Sequence, residues 1–245
     1  MRPFELAYIC LEPFLPVEKC QVRRRLLAVV GSLEQSPSIL DVGGRKSHYT
    51  IGIPASITIS DLPREEKLQE ELNLGVTRDM IKTLYARRSN VHRVVFDDMT
   101  CSAFRDNSFD CVLAIEVLEH VEADVSFVKE VYRVLKPCGV FFMTTPNGDY
   151  VPNTNPDHKR HYKGSELKSL LERYFQEVDV EYAVRDGIFY RMGRKSLSVK
   201  RPVQTGLSML GNIINLLQSS PGTLRNQVRG TCHLVATTRK LSEVI

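Results

Sequence analysis

Residues 38–47 read SILDVGGRKS, and this stretch decides the fold class of the chain. Its first half, SILDV, is a short apolar run of the kind that forms a buried strand. Two glycines follow at once, at Gly43 and Gly44, and a glycine-rich turn lets the backbone approach a ligand closely. A buried strand that runs into such a turn is typical of a βαβ unit, so we expect strands and helices to alternate along the chain.

Further strand and helix patterns do alternate on both sides of this stretch. Short runs rich in β-branched and aromatic residues predict more strands at 57–60, 91–96, 111–115, 140–144, 178–184 and 233–237. Segments between or before them predict helices over 17–33, 65–74, 77–87, 121–135 and 167–174. This order indicates an α/β protein with a doubly wound, mainly parallel sheet, whose ligands bind beyond the carboxyl ends of the strands.

Length and composition exclude several classes of protein. The chain has 245 residues, of which 42% are hydrophobic and 25% charged, so it is neither disordered nor fibrous. No apolar run approaches the roughly 18 residues of a membrane span, and Glu5, Glu12 and Pro13 interrupt the N-terminus where a secretory signal needs an apolar core. The 6 cysteines form no CxxC pair and no metal-ligand spacing. We therefore expect reduced thiols, no metal and a cytoplasmic location.

The net charge of +4 combines two regions of opposite sign. Residues 187–242 contain 9 Lys or Arg and no acidic residue, whereas residues 1–186 contain 24 basic and 28 acidic residues. The body of the protein is therefore acidic and its C-terminal quarter is basic, which calls for a separate explanation of that quarter.

Acidic residues follow the first three predicted strands, at the edge of the sheet where a ligand binds. Asp41 lies at the end of the first strand, Asp61 follows the second, and Asp98 follows the third. A carboxylate at such a position can accept both hydroxyls of a ribose. The chain has neither the GxxxxGK[ST] loop that binds phosphates nor the GxGxxG of dinucleotide-binding folds. These residues indicate a pocket for an adenosine with a cationic tail rather than for a polyphosphate.

Motifs in a characteristic order then suggest a family. After the DVGG turn come DNSFD at 106–110, EVLEH at 116–120, RVLKPCG at 133–139 and TPN at 145–147. The stretch from about 38 to 147 resembles the class I S-adenosylmethionine-dependent methyltransferases, and in particular the broad small-molecule group with the EVLEH, RVLKPGG and TPN signature. The resemblance implies a Rossmann-like sheet of seven strands with a reversed hairpin at its end, and S-adenosyl-L-methionine as the cofactor.

The resemblance also implies which residues bind the cofactor. Asp41 and Gly43 would border its methionine part, Asp61 would hold the ribose hydroxyls, and Asp98 would accept the adenine amino group, with Met99 beside the ring. The full set carried over by position is Asp41, Gly43, Gly44, Arg45, Asp61, Leu62, Asp98, Met99, Ile115 and Glu116, the last two lining the sulfonium side. Structural roles compete with these: a plain turn at the glycines, helix capping by the aspartates, and capping or helix-terminus electrostatics in the EVLEH motif.

The sequence departs from the family pattern in the glycine-rich loop. Arg45 and Ser47 stand where the family has its later glycines, and residues 48–54 are too short and broken for the usual first helix. Either Arg45 or Ser47 binds the carboxylate of the cofactor tail, or the site is weakened and the protein is a catalytically silent interaction module. We favour the first, since all three strand-end aspartates remain.

A loop beyond the fifth strand holds candidate catalytic residues. Residues 147–162 are rich in Pro, Asn and Gly and include His158 and His161. A histidine here would act as a base for, or a ligand of, the methyl acceptor; alternatively, both histidines pack the loop and cap the next helix. Lys159 and Arg160 would meet an acidic group on the acceptor or lie solvated.

The basic quarter contains an insertion at 185–231, where the family has a short hairpin. Within it, 203–217 predicts an amphipathic helix with Leu207, Leu210, Ile214 and Leu217 on one face. Three hypotheses remain open: contact with an anionic membrane or a lipid-linked acceptor, a lid or homodimer contact over the acceptor pocket, and nucleic-acid binding, which the shortage of aromatic residues makes unlikely.

These patterns together predict the organisation and the activity. We expect an N-terminal helical extension (1–37), a methyltransferase core (38–184), the basic amphipathic insertion (185–231) and the last strand and tail of the core (232–245). The expected activity is methyl transfer to a small-molecule or a lipid- or sugar-linked acceptor, first of all at oxygen, by a cytoplasmic enzyme that meets the membrane only peripherally. Transfer to nitrogen or carbon, or a silent binding module, are the alternatives.

Overall fold

A seven-stranded sheet is the centre of the molecule. The structure, a computed structural model, describes residues 1–33, 36–63, 76–195, 198 and 200–242. Within these residues the strands are β1 (Ser38–Val42), β2 (Ser56–Asp61), β3 (Val91–Phe96), β4 (Phe109–Ile115), β5 (Leu135–Pro146), β6 (Glu177–Arg185) and β7 (Thr231–Arg239). Each predicted strand is present and extended by at most two residues at either end, except that β5 begins five residues before its predicted start.

The order of the strands confirms the predicted fold class. They lie in the order β3-β2-β1-β4-β5-β7-β6; β1 to β5 are parallel to one another, whereas β7 is antiparallel to both β5 and β6. The chain reverses its direction of travel across the sheet between β1 and β4, which creates a crevice at the carboxyl ends of the strands. Because β7 runs the opposite way, its first residues lie at that same edge, with His233 paired to Pro146.

Helices cover the sheet and occupy the N-terminal extension and the insertion before β7. They are α1 (Pro3–Leu11), α2 (Val17–Gly31), α3 (Arg78–Arg87), α4 (Asp124–Val134), α5 (Gly164–Leu171), α6 (Ile188–Gly193), α7 (Pro202–Gln218) and α8 (Pro221–Leu224). The helix predicted over 65–74 falls outside the described residues. As expected, no α-helix forms between β1 and β2; a single 3-10 turn, Gly44–Lys46, and further turns replace it. No helix of the described residues is both long and apolar enough to cross a membrane.

The core has two halves, one on each face of the sheet. Alternate side chains of a strand point to opposite faces, so Val112 of β4 packs with α4 and α5 while the next residue, Leu113, packs with α2. From α2, Leu26 is fully buried against the strands. The N-terminal helices are thus packed onto the sheet and supply one of its two covering layers.

The helix predicted at 203–217 is present as α7, but it presents its apolar face to solvent. Leu207 is 51% exposed and Leu217 76% exposed, whereas Ser208, Asn212 and Asn215 are at most 2% exposed. Burial alone does not explain this orientation, since it leaves leucines in water.

Hydrogen bonds to backbone carbonyls explain why the polar face of α7 is buried. The Asn212 side-chain amide donates to the carbonyl of Phe14 at 2.9 Å, and the Asn215 amide donates to the carbonyl of Arg185 at 2.8 Å. The Ser208 hydroxyl donates to the carbonyl of Gly193 at 2.9 Å. Carbonyls at the ends of neighbouring elements need donors once they are buried, and α7 supplies them.

We expect Asn212→Ala to destabilise the protein by about 1–3 kcal/mol, because it leaves a buried carbonyl without its donor. The matched control, Leu207→Asn on the exposed face, is expected to change stability by less than about 0.5 kcal/mol. Urea unfolding followed by circular dichroism measures both. A larger loss for Leu207→Asn than for Asn212→Ala would show that the apolar face, not the polar one, attaches the helix.

Candidate cofactor and acceptor site

The turn after β1 lies in the crevice at the carboxyl edge, and only glycine fits it. Gly43 has a φ of +65°, in the left-handed region, and a Cβ there would lie 2.9 Å from Cγ2 of Val117. A Cβ on Gly44 would lie 2.4 Å from Cγ of Asp41. The turn therefore packs its backbone directly onto the residues that follow β4 and onto the end of β1.

Asp41 is buried beneath this turn. It is 1% exposed, and it accepts a hydrogen bond of 3.0 Å from the hydroxyl of Thr50, which in turn accepts one of 2.5 Å from Arg88. Burial raises the pKa of the Asp41 carboxyl, and the Arg88 guanidinium partly offsets the rise. The observed partners of Asp41 belong to the irregular loop that replaces the first helix, so Asp41 stabilises this loop. The contact of Asp41 with the methionine part of the cofactor stays a prediction.

Asp61, the predicted ribose ligand, lies beside Arg45. The Arg45 Nε atom is 3.5 Å from Oδ2 of Asp61, and both side chains are largely covered. The other carboxylate oxygen accepts a 2.9 Å hydrogen bond from the backbone N–H of Leu62. The guanidinium thus neutralises the carboxylate that was predicted to hold the ribose hydroxyls. The predicted contact of Arg45 with the carboxylate of the cofactor tail differs from this ion pair with Asp61, and it stays a prediction.

Asp98 and Met99 follow β3 on the same edge. One oxygen of Asp98 accepts hydrogen bonds from the backbone N–H and the hydroxyl of Thr100, at 2.9 and 2.8 Å, so this aspartate caps a tight turn. Its carboxylate is nevertheless exposed, and Met99 beside it is 3% exposed in the core. These contacts agree with the alternative that Asp98 has a structural, capping role. Its hydrogen bond to the adenine amino group stays a prediction.

Glu116, the first residue after Ile115 and β4, joins a half-buried chain of polar groups. Its Oε1 atom accepts a 2.8 Å hydrogen bond from the hydroxyl of Thr144 and lies 3.3 Å from Nδ1 of His233. The other ring nitrogen of His233 is 3.4 Å from the hydroxyl of Tyr190. Burial disfavours both charges, but the attraction between them prevails: it lowers the pKa of Glu116 and raises the pKa of His233.

The sequence patterns did not reveal His233 as a functional residue. It lies within an apolar strand, where a lone histidine carries no motif. The signal that could have found it is the reversed hairpin, because an antiparallel last strand must begin at the ligand-binding edge.

A small cavity of about 20 Å³ adjoins this chain of polar groups. Glu116, Thr144 and His233 line one side, and Tyr49 lines another. The remaining wall includes residues of α2, so the N-terminal helices complete the cavity as well as the core. The cavity as it stands holds about one water molecule, and its place beside the residue after β4 makes this side of the crevice the candidate acceptor region.

The two predicted catalytic histidines lie together on the far side of the turn Leu118–His120. Nδ1 of His158 is 2.8 Å from Nε2 of His161, whose Nδ1 is 2.9 Å from the carbonyl of Val151. A carbonyl only accepts hydrogen bonds, so His161 carries its proton on Nδ1 and accepts from His158. Burial and then the neighbouring His120 lower the pKa of His158. His158 is thus favoured in its neutral form, with the lone pair on Nε2.

Comparison with known proteins finds similar methyltransferases. A family described as a methyltransferase domain matches residues 58–143. A probable S-adenosylmethionine-dependent methyltransferase of Mycolicibacterium smegmatis is 37% identical over 101 residues, which are 39% of this chain and 37% of that protein. Over these residues the chain is similar to S-adenosylmethionine-dependent methyltransferases.

Two further relatives of the methyltransferase domain differ in what their names state. A sterol 24-C-methyltransferase of Aspergillus fumigatus is 42% identical over 93 residues, or 35% of this chain and 24% of that protein. A ubiquinone biosynthesis O-methyltransferase of Xanthomonas campestris is 25% identical over 171 residues, or 64% of this chain and 67% of that protein. The chain spans about a third of the length of the first curated relatives it matches.

Solved structures share the fold of the methyltransferase domain across most of the chain. A methyltransferase from Archaeoglobus fulgidus aligns with a TM-score of 0.56 and 18% identity, over 91% of this chain and 94% of that one. A Burkholderia thailandensis 1,6-didemethyltoxoflavin-N1-methyltransferase, solved with S-adenosylhomocysteine, aligns with a TM-score of 0.56 and 17% identity, over 91% and 78% of the two chains.

The donor set at the carboxyl edge fits the cofactor of this class. The backbone of the glycine turn is bare, and Asp61 and Asp98 supply acceptors for hydroxyl and amino groups. We expect Asp61→Asn to weaken binding of S-adenosylhomocysteine about tenfold, because a charged acceptor for the ribose hydroxyls is lost.

Isothermal titration calorimetry measures this loss, and Asp79→Asn, at an exposed position on α3, is the matched control. Equal affinities of Asp61→Asn and the wild type would exclude Asp61 as the ribose ligand. Weakening in Asp79→Asn as well would show a general effect of net charge.

Proposed function

We propose that this protein transfers a methyl group from S-adenosylmethionine to a hydroxyl oxygen of a small-molecule or a lipid- or sugar-linked acceptor. The observation that carries the proposal is the position of the Glu116–His233 pair, which lies at the carboxyl edge beside both the glycine turn and the cavity. The cofactor supplies a methyl group on a cationic sulfur, so the protein has to align the acceptor and exclude water. The O-methyltransferase relative, matched over 64% of this chain, supports oxygen as the attacked atom.

The cofactor would be held by the residues carried over from the family pattern. Gly43 and Gly44 would offer backbone to its amino-acid end, with Asp41 supporting them from below and Arg45 beside them. Asp61 with Leu62, and Asp98 with Met99, would hold the ribose and the adenine. Ile115 and Glu116 would lie toward the sulfonium, where the negative charge of Glu116 is electrostatically favourable.

His233 is the group best placed to accept the proton of an acceptor hydroxyl. Its Nδ1 faces Glu116, which fixes the ring and stabilises the imidazolium that forms when Nε2 takes up a proton. The hydroxyl of Tyr190, on α6 of the insertion, now lies 3.4 Å from that Nε2. Tyr190 therefore marks the position that an acceptor hydroxyl would occupy or approach, and it connects the insertion to the acceptor pocket.

We keep His158 and His161 as predicted residues of the acceptor site, where either would act as a base for the acceptor or bind it. They lie across the Leu118–His120 turn from Glu116, and His158 is close enough to interact electrostatically with Glu116. Full turnover of His158→Ala, with intact cofactor binding, would remove His158 as the base.

The decisive experiment for the proposal is a calorimetric titration of the full chain with S-adenosylhomocysteine. We expect saturable binding of one equivalent. Absence of heat at millimolar ligand would overturn the enzyme and favour a silent module. With binding established, product analysis of labelled methyl transfer separates oxygen from nitrogen or carbon as the attacked atom.

We expect His233→Asn to lower kcat by about 10²–10⁴-fold with unchanged S-adenosylhomocysteine binding. The pH profile gives an independent readout: because Glu116 raises the pKa of His233 above the usual 6.5, the proton-accepting form is lost as pH falls through that raised value. The rate of the wild type should therefore rise with pH over a range above that of an ordinary histidine, and this limb should vanish in the variant. His92→Asn, exposed on β3, is the control.

We further propose that the insertion contacts an anionic membrane surface. The apolar stripe on α7 runs through Val203, Leu207, Leu210 and Leu217, which are 50–76% exposed. Such a stripe in solution is unfavourable unless a partner covers it. Exposed Lys195, Lys200 and Arg201 lie at the start of the helix, so an apolar face and a positive cluster adjoin, as in helices that lie in the interface of an anionic bilayer.

We expect the full chain to float with phosphatidylglycerol vesicles and not with phosphatidylcholine vesicles. A double substitution, Leu207→Ser with Leu210→Ser, should abolish flotation, whereas Leu6→Ser, at an equally exposed leucine of α1, should not. Loss of dimers instead of flotation in gel filtration would identify the stripe as a homodimer contact. Salt-sensitive retention of RNA without vesicle binding would revive nucleic acid as the partner.

A further inference from the structure

A second polar cluster lies where the turn after β4 meets the loop 147–162. The backbone N–H of Lys159 donates to the carbonyl of Glu119 at 2.7 Å, and Arg160 pairs with Asp124 at 2.6 Å. These contacts fix the loop on the turn and bring the rings of His120 and His158 together, with their centroids 4.7 Å apart and their planes at 85°. The arrangement is thus built by contacts outside the cluster itself.

Glu119, His120 and His158 each direct one potential ligand atom into this cluster. The three atoms lie within 4.8 Å of one another. Ligands at about 2.0–2.2 Å from a tetrahedral ion are roughly 3.4 Å apart. Small side-chain rotations would close the difference.

Both histidines have one nitrogen occupied and one left for a ligand. Nδ1 of His120 lies 3.1 Å from the carbonyl of Asp157, so it carries the proton and Nε2 holds the lone pair. His158 has the same tautomer, since its Nδ1 donates to His161, which is held by the carbonyl of Val151. Metal-binding histidines are oriented in this way, by a hydrogen bond from the nitrogen that does not bind the ion.

The carboxylate of Glu119 supplies an independent observation. Its side chain is fully buried, and although Oε2 accepts a 3.2 Å hydrogen bond from Thr145, Oε1 has no hydrogen-bond partner among the described residues. A buried carboxylate oxygen without a partner is costly. The neighbouring imidazole nitrogens are acceptors as well, so one bound cation would satisfy all three atoms, whereas a single proton shared in one O–H···N hydrogen bond would satisfy two.

We propose that Glu119, His120 and His158 bind one divalent transition-metal ion. Two imidazole nitrogens and one carboxylate favour zinc and its neighbours over magnesium or calcium, which prefer oxygen ligands throughout. Three protein ligands leave a coordination position for water or for an oxygen of a bound molecule. Glu116 is not a member of this cluster; its Oε1 contacts Thr144 and His233 instead.

This site departs from the sequence-based expectation of no metal. The ligands come from two segments 38 residues apart, and no local spacing joins them. The proposal does not depend on methyl transfer, because it rests on the tautomers and on the burial of Glu119.

Zinc titration of the chelator-treated full chain tests the proposal. In competition with a chromophoric chelator we expect one equivalent of Zn²⁺ to bind, and Co²⁺ to give the visible spectrum of a low-coordinate site with nitrogen ligands. His158→Ala should weaken binding by about 100-fold or more, and His161→Phe, which removes only the orienting contact, by about 10–100-fold. His92→Ala, at an exposed histidine outside the cluster, should bind as the wild type does.

Absence of stoichiometric binding to the wild type, or unchanged affinity in both His158→Ala and Glu119→Gln, would overturn the metal site. Should the buried Glu119→Gln variant fail to fold, His158→Ala carries the test, with circular dichroism as the check and with the zinc-dependent rise in Tm as a second readout. S-adenosylhomocysteine binding is measured in parallel: zinc binding without it overturns the proposed function only, and the reverse result overturns the metal site only.

Discussion

The parallel pairing of β1 with β4 is the constraint on which the rest of the site depends. It pairs Asp41 with Leu113 and Val42 with Ala114, so the two strands end level with each other and the segments that follow them are adjacent. For that reason Gly43 packs against Val117, and the bend at Glu116 faces the turn after β1. A slip of one residue in this register would turn the buried carboxylate of Asp41 to the opposite face and separate the turn from the residues after β4.

The sequence was sufficient for those features that local pattern determines. Short apolar runs with flanking turns located all seven strands, and acidic residues at their ends located the edge at which the site lies. The absence of a regular helix after β1 was also predictable, because Gly52 and Pro54 break the pattern. What holds that segment, the buried link from Arg88 through Thr50 to Asp41, was not predictable, since its members are far apart in the chain.

The remaining features of the site arise from contacts between distant segments. His233 reaches the site because β7 runs against its neighbours, and its partners Glu116 and Tyr190 belong to the end of β4 and to the insertion. Glu119, His120 and His158 meet only because a loop folds back over a turn. Likewise, periodicity predicted that α7 is amphipathic, but it carries no information about which face the body of the protein covers. The polar face of α7 is the buried one because backbone carbonyls of other elements need its hydrogen-bond donors.

The orientation of α7 has a consequence for how this surface can change. Its attachment depends on a few directional amide and hydroxyl contacts, while the residues that face outward contribute little to holding the fold together. Substitutions on the outer face are therefore nearly free of thermodynamic constraint, and the inner face is strongly constrained. Selection could change the affinity of this helix for its proposed partner, or abolish it, without disturbing the sheet and the candidate site, so the two functions proposed for this chain can evolve separately.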